Sequence, residues 1–320
     1  MISLSFLLFF YLLGQVLGPY NQGQLNVVLI YFIAILSLVI LTGYSGQISL
    51  GQGALMAVGG YVCAITITNF LVPSLLAIAI AVLGSLLVGL ILGLSAARLS
   101  GPYLAGATLV LSLAIPSLAI RFESVLKGDV GIQLYLSEPP SWLTRVLGTI
   151  DFDEWNYVFT LPFAAIVLFF VINLTRSKYG RNWSAIRDRP IAAALSGINV
   201  ERTRIYAFVL SSGIAGLAGA LYGFRGVVGP SVYPTALSLA LLTGAVIGGV
   251  RHISGALIGA GLVVFLPDLI NWFSNRFQLS QNVSDYLPAF IGAVLLILTV
   301  ILNPSGIAGG AHHHRAESHK

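Results

Sequence analysis

The stretch Gly43-Tyr-Ser-Gly-Gln-Ile-Ser-Leu-Gly-Gln-Gly53 sets four glycines among Ser45, Gln47, Ser49 and Gln52. Each glycine costs a helix about 1 kcal/mol relative to alanine, so the spacing predicts an interrupted helix. Its hydroxyls and carboxamides are hydrogen-bonding groups, suited to lining a path for a polar solute where broken backbone sits at membrane depth. The same small residues also suit a plain close crossing of helices, and both readings stand at this level. A second cluster lies in 176–204, where Arg176, Lys178, Arg181, Arg187, Arg189, Arg202 and Arg204 outweigh Asp188 and Glu201 to give a net charge of +5. Within it, Asp188 followed by Pro190, an Ile-Ala-Ala-Ala-Leu-Ser run and Gly197 predicts a short helix over 190–196, with proline in the first turn and glycine as the stop. So short a helix, flanked by Arg181, Arg187 and Arg189 and carrying Ala192 and Ala193, is poor at burying itself. It is suited to docking on a partner; a basic loop held by lipid phosphates is the other reading.

Residue sets for catalysis are missing. None of the three lysines, Lys127, Lys178 and Lys320, follows a Gly-x-x-x-x-Gly phosphate loop, so the chain cannot hydrolyse a nucleotide by that route. No His-Glu-x-x-His or Gly-x-Ser-x-Gly pattern occurs, and the histidines other than His252 are His312, His313, His314 and His319 in the tail. The expectation is no enzyme activity, no metal site and no cofactor in this chain. The single cysteine, Cys63, excludes an intrachain disulfide and lies in an apolar run, as a buried small side chain would.

The elements that position these clusters are membrane spans. Charged residues make up 8% of 320 and hydrophobic residues 57%, against about 25% charged in soluble domains, and the mean hydropathy is +0.92. A soluble fold could not cover its surface with so few charges. The chain reads as an all-α, polytopic membrane protein with about ten spans, at 2–18, 25–42, 48–69, 74–96, 103–121, 157–175, 205–225, 235–250, 254–271 and 286–303. The first is read as a retained span because no basic residue precedes it. The +5 on 176–204 equals the net charge of the whole chain, which assigns that loop to the cytoplasm by the positive-inside rule and argues against nucleic acid as a partner. With ten spans both termini are then cytoplasmic, as are Arg98 and Arg251. The connection 121–156, net −3, falls outside as a small external platform, with Trp142, Trp155 and Tyr157 at the interface. The domain reading is therefore a transmembrane unit over 1–305 and a tail at 306–320. Gly219-x-x-x-Gly223 and Gly244-x-x-x-Gly248 are spacings for tight helix crossing. No Asp or Glu stands in mid-span, which argues against a proton- or sodium-driven carrier.

The motif at 43–53 resembles the Gly-Tyr-x-Gly-Gln-x-Ser-Leu-Gly signature of LivM-type permeases of branched-chain amino-acid ATP-binding-cassette (ABC) importers. Ala97-Arg98-Leu99-Ser100-Gly101-Pro102-Tyr103-Leu104-Ala105 is similar to a second family element, which adds Tyr103 to the candidate path residues. Ser177-Lys178-Tyr179-Gly180-Arg181, Ala185-Ile186-Arg187-Asp188, Gly197-Ile198-Asn199-Val200 and the Ala207–Leu221 stretch resemble its cytoplasmic loop and following span. The chain departs in having Arg189-Pro190 and Ala194 where the family usually carries acidic residues. The resemblance implies a ten-span, type II importer-like permease in the bacterial inner membrane. It also implies a second, LivH-type permease, two ATPases that bind the ATP, an extracytoplasmic binding protein, and a coupling helix at 190–196 marked by Arg181, Arg187, Asp188, Pro190, Ala192, Ala193 and Gly197. Relatives for urea and short amides keep the solute open, and a stand-alone facilitator for a small neutral solute is the runner-up.

Overall fold

The computed structural model describes residues 2–16, 18–96, 101–140, 151–276, 281–302 and 306–309. Arg98, Trp142 and the tail histidines of the sequence reading lie outside them. The helices are α1 (Ile2–Val16), α2 (Pro19–Leu38, continued by a π-helical turn Val39–Tyr44), α3 (Gln52–Phe70), α4 (Ser74–Ala96), α5 (Pro102–Arg121), α6 (Glu123–Leu126), α7 (Phe152–Arg176), α8 (Lys178–Asp188), α9 (Pro190–Leu195), α10 (Val200–Gly223), α11 (Thr235–Gly248), α12 (Ile253–Arg276) and α13 (Gln281–Leu302).

Among the described residues seven helical stretches are long and apolar enough to cross a membrane: α2 with its π turn, α3, α4, α5, α7, α10 and α12. Three more, Ser3–Val16, Thr235–Gly248 and Phe290–Thr299, are apolar but shorter. All ten expected spans are therefore apolar helices; α1, of 15 residues, and α11, of 14, fall short of full spanning length, whereas α13, which contains Phe290–Thr299, runs for 22. The cause is clearest in α11. Pro234 precedes its first turn and Gly249, at φ +111°, follows its last. Its 14 residues cover about 21 Å, less than the ~30 Å hydrocarbon core.

Helix α2 is apolar on every side, the pattern of a helix surrounded by protein, and Leu29, Ile30, Ile33, Leu36 and Ile40 are fully buried. It packs against α7, α10, α11 and α12. Helices α3, α4 and α10 form the second packed layer. A Cβ on Gly59 of α3 would run into the backbone of Gly216, and one on Gly219 of α10 into that of Met56. Gly244 and Gly248 of α11 likewise lie against the backbones of Gly259 and Gly255 of α12. These glycines serve close packing, the use that small residues have between membrane helices.

Alternate crossings sort the connections to two ends of the bundle. At one end β1 (Ile132–Tyr135) and β2 (Arg225–Val228) form an antiparallel ladder in which Ile132 faces Val228 and Gln133 faces Val227. Ser137 in the same connection accepts a 2.8 Å bond from Trp155 Nε1, and Arg225 donates to the Gly23 carbonyl at 2.9 Å. The connection expected to be an external platform is thus pinned to the bundle by a strand. At the other end gather residues 45–51, the 176–204 loop and the turn 249–252: Gly43 abuts Val250, and Gly306 abuts Gly249. Phe6, near the start of α1, shares a cavity with Arg176 and Arg251 at this end.

Candidate functional site

The broken helix begins where α2 widens. Ser45 N donates to Ile40 O at 3.0 Å, an i→i−5 bond, and Gln47 N reaches Leu41 O at 3.0 Å. Such π turns are uncommon and occur often at functional sites. The chain then runs without regular structure to Gly51 before α3 starts. Ser45, Gln47, Ser49 and Gln52 are all buried. Their side chains are covered by the packed helices of this chain, while Ile48 is the large exposed apolar side chain of the segment.

Gln47, Gln52 and the freed backbone find partners from other helices, whereas Ser45 and Ser49 accept bonds from Gln47 and Gly51 within the segment. Gln47 Nε2 donates to Ser45 Oγ at 2.7 Å and to the Arg204 carbonyl at 3.1 Å. From α5, Thr108 Oγ1 accepts from Leu50 N at 2.9 Å, and Ser112 Oγ donates to Leu50 O at 2.7 Å. The first backbone N–H groups of α3 have no intrahelical partner. Gly53 N is satisfied by Ser238 Oγ of α11 at 2.9 Å. Ser112 and Ser238 hydroxyls are also 3.1 Å apart. Gln52 Nε2 donates to Ser37 Oγ of α2 at 3.0 Å and to Ser211 Oγ of α10 at 2.7 Å, while Ser211 Oγ donates to the Ser37 carbonyl at 2.9 Å. Gln52 Oε1 is buried without a partner. The break is thus the hub where α2, α3, α5, α10 and α11 meet through hydrogen bonds. Tyr103, by contrast, is 77% exposed at the start of α5 and does not join this group.

The basic loop folds as two helices. Ser177 caps α8, its Oγ accepting from Tyr179 N at 3.1 Å. Trp183 is fully buried and donates from Nε1 to the Thr203 carbonyl at 3.0 Å, which fixes α8 against the first turn of α10. Arg181 is exposed and donates back to the Arg176 carbonyl. Arg187 makes two links at once. Its Nη1 donates to the Gly43 carbonyl at the end of the π turn, and its Nε and Nη2 donate to Asp188 Oδ1 at 2.9 and 2.6 Å. The guanidinium of Arg187, assisted by the field of Arg251, holds the exposed Asp188 carboxyl below the usual carboxylate range.

Pro190 opens α9, and Gly197 at φ +85° ends it, with Ile198 N closing onto Ala193 O at 3.1 Å. Ala192 is exposed, but Ala193 is buried against its own chain. The outward face carries Ile191, 78% exposed, and Leu195, 86% exposed. Sequence reasoning singled out the alanines and passed over these two; their signal is the spacing of four residues, which sets both on one helix face. It also missed Ser37, Thr108, Ser112, Ser211 and Ser238, lone polar residues in apolar spans. Among the described residues no three His, Cys, Asp or Glu side chains stand together as a metal site.

Residues 22–300 match the family described as branched-chain amino acid transport system / permease component. The chain is 29% identical to the high-affinity branched-chain amino acid transport system permease protein LivM of Salmonella typhimurium, over 90% of this chain and 70% of that one. It is 27% identical to a probable branched-chain amino acid transport permease protein LivH of Methanocaldococcus jannaschii, over 81% and 82%. It is 25% identical to an autoinducer 2 import system permease protein LsrC of an Enterobacter species, over 67% and 63%.

Proposed function

The chain belongs to the family of branched-chain amino acid transport system permease components, and on that premise we propose that it forms one half of the membrane pore of an ABC importer for branched-chain or other neutral amino acids. It is the membrane subunit and not the ATPase. Its partners are a second, LivH-type permease, two ATPases that bind and hydrolyse ATP, and an extracytoplasmic substrate-binding protein. It lies in the bacterial inner membrane with 176–204 and both termini on the cytoplasmic side, the 1–305 unit crossing the bilayer ahead of the 306–320 tail.

The observation that carries this reading is the pair Ile191 and Leu195, exposed on the short helix α9 in the most basic connection of the chain. Two large apolar side chains held out on a helix of 6 residues gain nothing from water; they fit an apolar groove on an ATPase. Arg187, in the last turn of α8 just ahead of that helix, is bonded to the Gly43 carbonyl, so a joint displacement of α8 and α9 reaches the break at 43–53 directly. In the proposed cycle, ATP-driven closure of the ATPases shifts α8 and α9, and the web around Gln47 and Gln52 relays the shift to α5, α10 and α11, whose movement opens the pore alternately to each side. The outer connection pinned by β1 and β2 receives the binding protein.

Reconstitution tests it. The chain, its sister permease, the ATPases and a loaded binding protein in liposomes are expected to take up the binding protein's ligand at the expense of ATP. Uptake by this chain alone, independent of ATP, would overturn the proposal in favour of a facilitator.

A further inference from the structure

At the end of the bundle that holds the basic loop, a cavity of about 720 Å³ opens between α1, the π turn after α2, the last turn of α7 and the start of α12. Its walls are mostly apolar, with Phe6, Phe32, Leu168, Ile172 and Leu257 beside the polar Thr175, His252 and Ser254. Two arginines stand on its lining, Arg176 at the end of α7 and Arg251 in the turn before α12. Both residues are exposed. Among the described residues the one ion pair is Arg187 with Asp188. Asp188 lies close enough to feel the field of Arg251, but its carboxylate is already bonded to Arg187 at 2.6 Å. Among the described residues, Arg176 and Arg251 are therefore two cations with no carboxylate bonded to either.

We propose that this cavity binds an anionic phospholipid, with its phosphate between Arg176 and Arg251 and its acyl chains along Phe6, Phe32, Ile172 and Leu257. A free phosphate would use the two cations and leave the apolar walls wet. A zwitterionic lipid would use the walls and bring no net charge. Basic pockets between spanning helices at one face of a membrane match anionic head groups on both counts, and the volume lies within the roughly 300–1,000 Å³ of small-molecule sites. The inference needs only a membrane-embedded chain and stands apart from the importer reading.

The test is native mass spectrometry of the detergent-purified chain with phosphatidylglycerol or phosphatidylcholine of the same acyl composition. The wild type is expected to retain one phosphatidylglycerol and to bind phosphatidylcholine at least tenfold more weakly. Arg176→Gln and Arg251→Gln each weaken retention about fivefold, the worth of one cation at an anionic lipid surface, and the double variant loses it. Arg202→Gln, an exposed arginine of the same loop away from the cavity, retains it. Equal retention of the two lipids, or an unchanged double variant, overturns the proposal. Displacement by millimolar inorganic phosphate also overturns it, by assigning the arginines to a soluble anion.

Discussion

Arg187 holds the Gly43 carbonyl and the Asp188 carboxylate with one guanidinium, so the end of the π turn and the end of α8, just ahead of α9, share a single side chain. A charged donor to a carbonyl is worth about 1.5–3 kcal/mol, and here it bridges 144 residues of sequence. Arg187→Ala is expected to leave ATPase binding intact while cutting solute moved per ATP about tenfold in reconstituted vesicles. Arg187→Lys, one point charge in place of a planar fork, recovers only part of it. A fall of transport and hydrolysis in proportion would show that Arg187 aids docking instead of linkage.

The depressed Asp188 carboxyl sets the pH window of this joint. A carboxyl lowered in the fold contributes stability that is complete above its unfolded value near 3.9 and is lost as pH falls through the lower, folded value. Transport from pH 5 to 8 is therefore expected to be flat with respect to Asp188. Asp188→Asn should not introduce a pH dependence over that range, which a pH series on both proteins checks.

Gly46 lies at φ +71°, and a Cβ there would run into the aliphatic stem of Arg187. Gly46→Ala is expected to lower stability by about 1–2 kcal/mol, combining left-handed backbone cost with the clash. The double variant with Arg187→Ala should recover the clash and not the backbone cost. Thermal unfolding of the four proteins of this cycle reads the coupling; strict additivity would mean that the two residues do not touch.

The interruption at 43–53 was legible in the sequence because glycine and amide content mark it locally, and so was α9, through Pro190 and Gly197. What could not be read was the company those residues keep. Ser37, Ser112, Ser211 and Ser238 are single hydroxyls in apolar spans, and only the packing of four helices brings them to Gln52 and Gly53. Nor did the alanine run reveal which of its faces turns outward: Ala193 goes inward because Ile198 folds back onto its carbonyl. The two-stranded ladder escaped for the same reason. Arg225–Val228 is four residues beyond a helix, and its pairing partner is almost a hundred residues earlier.

The two faces of α9 can be separated by substitution. Leu195→Asp puts a charge on a side chain 86% exposed in this chain, so folding should be unchanged within about 0.5 kcal/mol while co-purification of the ATPase is lost. Ala193→Leu overfills a buried position and should destabilise by about 1–3 kcal/mol. If Ala193→Leu kept its stability and lost the ATPase, the docking face would be the alanine face.

Gln52 tests the web itself. Gln52→Leu keeps the volume and removes donors to Ser37 and Ser211. Interhelical hydrogen bonds in membranes average about 0.6 kcal/mol and reach about 1.7, and Leu also removes the unpartnered Oε1, so a net loss of roughly 1 kcal/mol is expected. If the web relays motion, transport falls by far more than so small a stability change accounts for. A variant with normal transport would leave the web a structural fastener.

Accessibility checks the orientation on which the importer reading depends. Cys63, the sole natural cysteine, is fully buried and should stay unlabelled by a maleimide that cannot cross the membrane. Gln133→Cys places a thiol on the exposed side of β1, at the end where β1 pairs with β2. Leu195→Cys places one on the outward face of α9, at the opposite end. With the outer membrane made permeable, Gln133→Cys is expected to label in intact spheroplasts and Leu195→Cys only after lysis. The cross-strand pair Gln133→Cys with Val227→Cys, directly opposed in the ladder, should oxidise to an intramolecular disulfide, because paired positions of antiparallel strands bring Cβ atoms to about 4.5–5.5 Å. The reverse labelling order would put the +5 loop outside, against the charge rule, and would remove the cytoplasmic ATPases from reach of α9.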